Sequence, residues 1–125
     1  MRYKTFGKLG YNVSAVGFGG MRFDTTRTDA ENADLVLYAV DKGINWLDTA
    51  PNYCDDRSED ILGRAVRQLG SRRREVYLSS KGQPQECDTA EKARAAVEKS
   101  LKRLNTDYLD FYYVWCIRRL EEYES

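Results

Sequence analysis

The sequence predicts an α/β protein in which a parallel sheet alternates with helices packed against it. Three observations predict this class. Apolar residues recur with helical period in three separate stretches. Short apolar runs rich in strand formers stand between those stretches. The connections are short, and Gly or a capping residue marks most element ends.

The elements follow in chain order. Tyr3 to Phe6 is strand-like, Gly7-Lys8-Leu9-Gly10 is a turn, and Val13 to Gly19 returns as a second apolar run. From Thr28 the period changes. Ala33, Val36, Leu37 and Val40 fall at i, i+3, i+4 and i+7, one face of a helix. Thr28 and Glu31 have capping-box spacing, and Gly43 suits the C-terminal stop. Ile44 to Thr49 reads as a short buried strand. The next helix starts near Ser58, where Glu59 and Asp60 favour its positive end. Its apolar face is Ile61, Leu62, Ala65, Val66 and Leu69, and Gly70 ends it. Val76 to Ser80 is another strand. Asp88 and Glu91 are placed to cap a third helix, with Ala93, Ala96, Val97, Ser100, Leu101 and Leu104 inward. Tyr108 to Trp115 is the last strand, and Leu120 to Tyr123 begins a further helix.

The tally is about four strands and three helices. A closed (β/α)8 barrel needs eight of each and about 250 residues. At 125 residues the chain is expected to be a single partial barrel domain spanning 1–125. Neither a linker nor a repeated motif is evident.

Composition narrows the function. Lys plus Arg total 20 and Asp plus Glu total 20, so no electrostatic footprint calls for nucleic acid or an anionic membrane. The one basic cluster, Arg72-Arg73-Arg74, is expected to be a solvated loop. No stretch approaches the ~20 apolar residues of a membrane span, and Met1-Arg2-Tyr3-Lys4 leads into no signal-peptide core. The three cysteines, Cys54, Cys87 and Cys116, include no C-x-x-C and fit a reducing cytoplasm. Cys54 is expected to have no catalytic role, Cys116 is expected to be a small apolar filler, and no metal-ligand spacing is present. With no histidine in the sequence, imidazole chemistry is excluded from this chain.

Chemistry-bearing residues gather at one end of the predicted sheet. Asp48 closes one strand and Tyr53 follows five residues later; Lys81 and Trp115 end the next two strands. Groups at the carboxyl ends of parallel strands converge on the ligand site in such folds. An ammonium beside a phenol favours the phenolate, and a carboxylate paired with the ammonium keeps it charged and aimed. The trio is therefore either a tuned proton relay or a structural Asp–Lys pair with a tyrosine nearby. Gly17-Phe18-Gly19-Gly20-Met21-Arg22 fails the dinucleotide fingerprint, because Arg22 stands where its last glycine belongs. These glycines otherwise read as a tight strand end.

Five segments in order and spacing carry a family resemblance. They are Val16 to Arg22, Gly43 to Tyr53, Ser58 to Gly63, Ser79-Ser80-Lys81 and Ser100 to Asp110. Together they resemble aldo-keto reductases over essentially the whole chain. The resemblance implies a (β/α)8 barrel that opens with a hairpin over the barrel floor, here its N-terminal half. It implies NADPH-dependent reduction of a small carbonyl substrate, an aldehyde or ketone. Tyr53 is then the proton donor, Lys81 and Asp48 are its electrostatic partners, and Gly20, Met21 and Asp48 approach the nicotinamide end of NADPH. The family usually has a histidine at the end of the fourth strand; here Trp115 stands there. An indole offers one N–H donor and does not titrate. The ending Val114-Trp115-Cys116 is similar to that of relatives with a C-terminal ferredoxin-like extension.

The family's main cofactor contacts lie in later strands. The chain is therefore expected to be an incomplete, weakly active or inactive oxidoreductase. The alternative is a free-standing half-barrel with a binding or structural role. Alternation in the last strand puts Phe111, Tyr113 and Trp115 on one side, and open edges at both ends of the sheet favour a homo-oligomer.

Overall fold

A computed structural model describes residues 1–124. Two sheets organise it. Strands β1 (Tyr3–Phe6) and β2 (Tyr11–Ser14) form an antiparallel hairpin. Its turn is a short 3-10 segment, Gly7–Leu9, closed by Gly10 at φ 71°, a left-handed position that suits glycine. The second sheet is parallel, in the order β3 (Phe18–Gly19), β4 (Trp46–Asp48), β5 (Tyr77–Gly82) and β6 (Phe111–Val114). Helices α1 (Asp29–Asp41), α2 (Ser58–Leu69) and α3 (Ala90–Arg103) connect these strands, and α4 (Leu120–Glu124) follows β6. The expected parallel α/β organisation is thus present, with helices between successive strands.

Each sheet face has its own cover. Leu47 and Leu78 point outward and are fully buried against Ala33 and Val36 of α1 and Ile61, Leu62, Ala65 and Val66 of α2. The opposite face carries aromatics, and the hairpin closes over them. Phe6 lies 5.5 Å from Trp46 and 5.1 Å from Phe111, and Tyr11 stacks on Tyr77 at 4.7 Å. Asn45 ties hairpin to sheet: its Oδ1 accepts from Ser14 N at 2.7 Å, and its Nδ2 donates to the Asn12 carbonyl at 2.9 Å. Covering Phe111 in this way leaves Tyr113 as the exposed aromatic of that strand, at 38%.

Helix boundaries follow their capping chemistry. The Thr28–Glu31 capping box forms, with Glu31 N donating to Thr28 Oγ1 at 3.2 Å and Thr28 N to Glu31 Oε2 at 2.8 Å. Gly43, at φ 93°, follows the end of α1. Among the described residues no helix is long and apolar enough to cross a membrane.

Several sequence expectations are corrected, among them the strands expected at 44–49 and 76–80, which run Trp46–Asp48 and Tyr77–Gly82, and Cys116, expected as an apolar filler and exposed in the structure. The run Val13–Gly19 is not one strand: it is split between β2 and β3, in different sheets. Hairpin pairing continues to Ala15 N, which donates to the Arg2 carbonyl, while Ser14 Oγ donates to the Val16 carbonyl and turns the chain. The last strand shortens to Phe111–Val114: the Tyr108 carbonyl is taken by Arg73, and Leu78 N of β5 donates to the Asp110 carboxylate instead of a strand carbonyl, although Asp110 N still donates to the Leu78 carbonyl. Helix α3 is capped by Thr89, whose hydroxyl accepts from Lys92 N; Asp88 instead pairs with Lys92 Nζ at 2.7 Å. Arg73 is not solvated: it is buried, with its guanidinium 4.0 Å over the Tyr108 ring and bonded to Thr106, the Val76 and Tyr108 carbonyls and Asp110. A planar guanidinium with five donors is satisfied in the interior when that many acceptors converge on it.

Candidate active site

The parallel register delivers the site. Gly19, Asp48, Ser79 and Phe111 lie side by side across the four strands. Strand β4 stops at Asp48, while β5 runs on to Lys81 and Gly82. Lys81 lies two residues beyond Ser79, on the same face of the sheet, and its side chain reaches back over the end of β4. Its Nζ donates to Asp48 Oδ2 at 2.6 Å and to the Thr49 carbonyl at 2.8 Å. Ser79 Oγ donates to the other carboxylate oxygen, Asp48 Oδ1, at 2.6 Å.

Tyr53 reaches the pair from the loop that follows β4. Lys81 Nζ sits 4.9 Å from the centre of the Tyr53 ring. Trp115 closes the group: its ring meets Tyr53 edge-on at 5.6 Å and 81°, and its backbone N–H donates to the Gly82 carbonyl at 3.0 Å. The structure thus brings Asp48, Tyr53, Lys81 and Trp115 together at the carboxyl ends of the strands.

Gly20 and Met21 flank this group differently. Gly20 is buried where the chain leaves β3, and a Cβ there would stand 2.5 Å from Ser58 Oγ and 3.1 Å from the Asp48 carbonyl. Only glycine fits that approach. Met21 is 51% exposed.

The Tyr53 loop is backbone-strained. Asn52, Cys54, Asp55 and Asp56 all have positive φ, between 54° and 65°. Each costs about 1–2 kcal/mol in a residue other than glycine, less in Asn and Asp. Compensating bonds hold the turn. Asn52 N donates to Asp56 Oδ1 at 3.1 Å, and Ser58 N donates to the Tyr53 carbonyl at 3.1 Å. Arg57 pairs with Asp29 at 2.6 Å. Cys54 packs on the core, its Sγ 3.8 Å from the Phe23 carbonyl.

Three site-related residues escaped the sequence reading. Ser79 was legible in principle, since it lies two residues before Lys81 and therefore on its face. Tyr113 pairs in register with Lys81, and burial together with the Asp48 charge pushes its phenol above the ordinary value. Arg103 lies 47 residues from its partner Asp56, and no sequence spacing announces that contact.

Comparison with known proteins places the chain among its relatives. The model of the aldo/keto reductase family matches residues 15–125. A probable voltage-gated potassium channel subunit beta of Arabidopsis thaliana is 38% identical over 120 residues, covering 90% of this chain and 37% of that protein. Aldo-keto reductase YhdN of Bacillus subtilis is 36% identical over 125 residues, covering 91% of this chain and 38% of that one. A crystal structure of an aldo/keto reductase from Klebsiella pneumoniae in complex with NADP and acetate superposes with a TM-score of 0.69 at 33% identity, covering 84% of this chain and 36% of that one. The chain therefore spans well under half the length of these relatives.

Proposed function

The chain belongs to the aldo/keto reductase family, and from that premise we propose that Asp48, Tyr53 and Lys81 deliver the proton in an NADPH-dependent reduction of an aldehyde or ketone. The observation that carries this reading is the position of Lys81 Nζ, tied to Asp48 at 2.6 Å and poised 4.9 Å over the Tyr53 ring. A carbonyl that accepts a hydride becomes an alkoxide and needs a proton at its oxygen. The Tyr53 hydroxyl donates it, and the Lys81 ammonium stabilises the phenolate that remains. Asp48 fixes the direction of that ammonium, and Ser79 fixes the carboxylate. Trp115 contributes one indole N–H beside Tyr53 as a donor to the substrate carbonyl, in the place the family usually gives to histidine.

Gly20, Met21 and Asp48 are the residues that would hold NADPH at its nicotinamide end. Gly19 pairs with Asp48 in register, so Gly20 and the exposed Met21 follow directly on the end of β3 beside that strand end, which supports the reading. When bound, the cofactor supplies the hydride. The resemblance assigns most other cofactor contacts to later strands, so the 125 residues alone are expected to turn over far below about 1 s⁻¹. Oxidation of NADPH with a panel of aldehydes tests the reading. In any assembly that turns over, Tyr53→Phe lowers kcat by about 10²–10⁴-fold with cofactor binding retained; wild-type rates in Tyr53→Phe would overturn it.

A further inference from the structure

We infer that Arg103 is a positioning residue for Tyr53: from the C-terminal end of α3 it holds loop 52–56 in the turn that sets the Tyr53 ring against Lys81 Nζ. The loop has no regular hydrogen-bond ladder, and Cys54, Asp55 and Asp56 are consecutive left-handed residues. Such a segment persists only where its surroundings over-determine it. Arg103 supplies that determination. Its Nη1 donates to Asp56 Oδ1 at 2.7 Å, and its Nη2 donates to the Asp56 carbonyl. The same guanidinium is anchored to α2 through Asp60 at 2.7 Å and the buried Glu59 at 3.3 Å. Asp56 Oδ1 passes the constraint on by accepting from Asn52 N, so the clamp spans Tyr53 on both sides. The backbone that carries this side chain is set close to α2, since the Arg103 carbonyl occupies the space a Cβ on Gly63 would take.

The inference rests on the reading of Tyr53 as proton donor, but its test does not use that chemistry. Cys54 adjoins Tyr53, is partly buried, and reports release of the loop as faster alkylation. The experiment uses the 125-residue chain with Cys87→Ser and Cys116→Ser, alkylated by iodoacetamide at about pH 8. Arg103→Met is expected to accelerate Cys54 alkylation about tenfold at unchanged helical circular dichroism, with Arg103→Lys intermediate. A rate within about twofold of the parent in a folded Arg103→Met chain overturns the proposal. If Arg103→Met loses its helical signal, Asp56→Ala decides. It removes an exposed side chain at the loop end of the clamp and is expected to accelerate alkylation about threefold; an unchanged rate overturns the proposal. Asp60→Ala separates positioning from helix packing. It removes an anchor of the same guanidinium and is expected to accelerate alkylation less than Asp56→Ala does; acceleration with Asp60→Ala but none with Asp56→Ala would show that Arg103 only joins α2 to α3, and would overturn the proposal. A reductase assay of Tyr53→Phe reads the proton donor separately, so failure of either idea is seen without the other.

Discussion

Lys81 Nζ and Asp48 Oδ2 meet at 2.6 Å across the adjacent strands β5 and β4, with the ammonium side chain only 13% exposed and the carboxylate 31%. Such a pair is sensitive to loss of one member more than to loss of both. Asp48→Ala leaves the ammonium with the Thr49 carbonyl as its remaining acceptor, and is expected to cost about 2 kcal/mol. The double variant Asp48→Ala/Lys81→Met should be more stable than Asp48→Ala alone. Denaturant melts of the three chains check this; a double variant less stable than both singles would show that the pair is not limited by its buried charge.

Gly63 sets how closely α2 meets α3. A Cβ there would run into the Arg103 carbonyl, and Asn105 Nδ2 already donates to the Gly63 carbonyl at 3.1 Å. Gly63→Ala is therefore expected to destabilise by about 2 kcal/mol or more, through backbone displacement. Gly70→Ala has no neighbour within 4 Å, but φ 53° with ψ −122° is a conformation essentially confined to glycine, so about 1–3 kcal/mol is expected from the backbone alone. Thermal melts measure both, and a Gly63→Ala cost below about 1 kcal/mol would mean that the helix crossing is looser than the structure has it.

Asp56 gives the loop a pH dependence with a definite sign. Hydrogen bonding from Arg103, then from Asn52 N, holds its carboxyl below the usual 3.8. A depressed folded value means that its contribution is fully present above the unfolded value and is lost as pH falls through the folded one. The melting-temperature difference between wild type and Asp56→Asn should therefore be constant above about pH 5 and shrink toward about pH 2. A difference that grows on acidification would contradict the ion pair.

The parallel sheet has β3 and β6 at its edges among the described residues. Tyr113 and Val114 on β6 are 38% and 46% exposed. Unpaired backbone beside exposed apolar side chains favours pairing with another chain. Light scattering of the 125-residue chain at micromolar concentration is expected to give a mass above the monomer, lowered by Val114→Lys. A monodisperse monomer at that concentration would rule out association through this edge.

Much of the fold was legible because its signals are local. The capping box at Thr28 and the apolar stripe of α2 each need only residues within a turn or two of one another. The Asp48–Tyr53–Lys81–Trp115 group was legible for a different reason: parallel strands send their carboxyl ends to one side, so residues that end strands become neighbours. The misreadings share a cause. Val13–Gly19 looked continuous because apolar pattern does not say which sheet a strand joins, and Arg73 looked solvated because its acceptors are as far as 37 residues away.

The sequence by itself determined the alternation of strands and helices, and the residue types at the strand ends. Only the tertiary structure decided the Ser79–Asp48–Lys81 geometry, the left-handed turn that carries Tyr53, and the Arg103 clamp on it. The physical reason is range. Period, capping and turn chemistry act between near neighbours, whereas a guanidinium finds its carboxylates only after sheet register and the α2–α3 crossing at Gly63 have placed them.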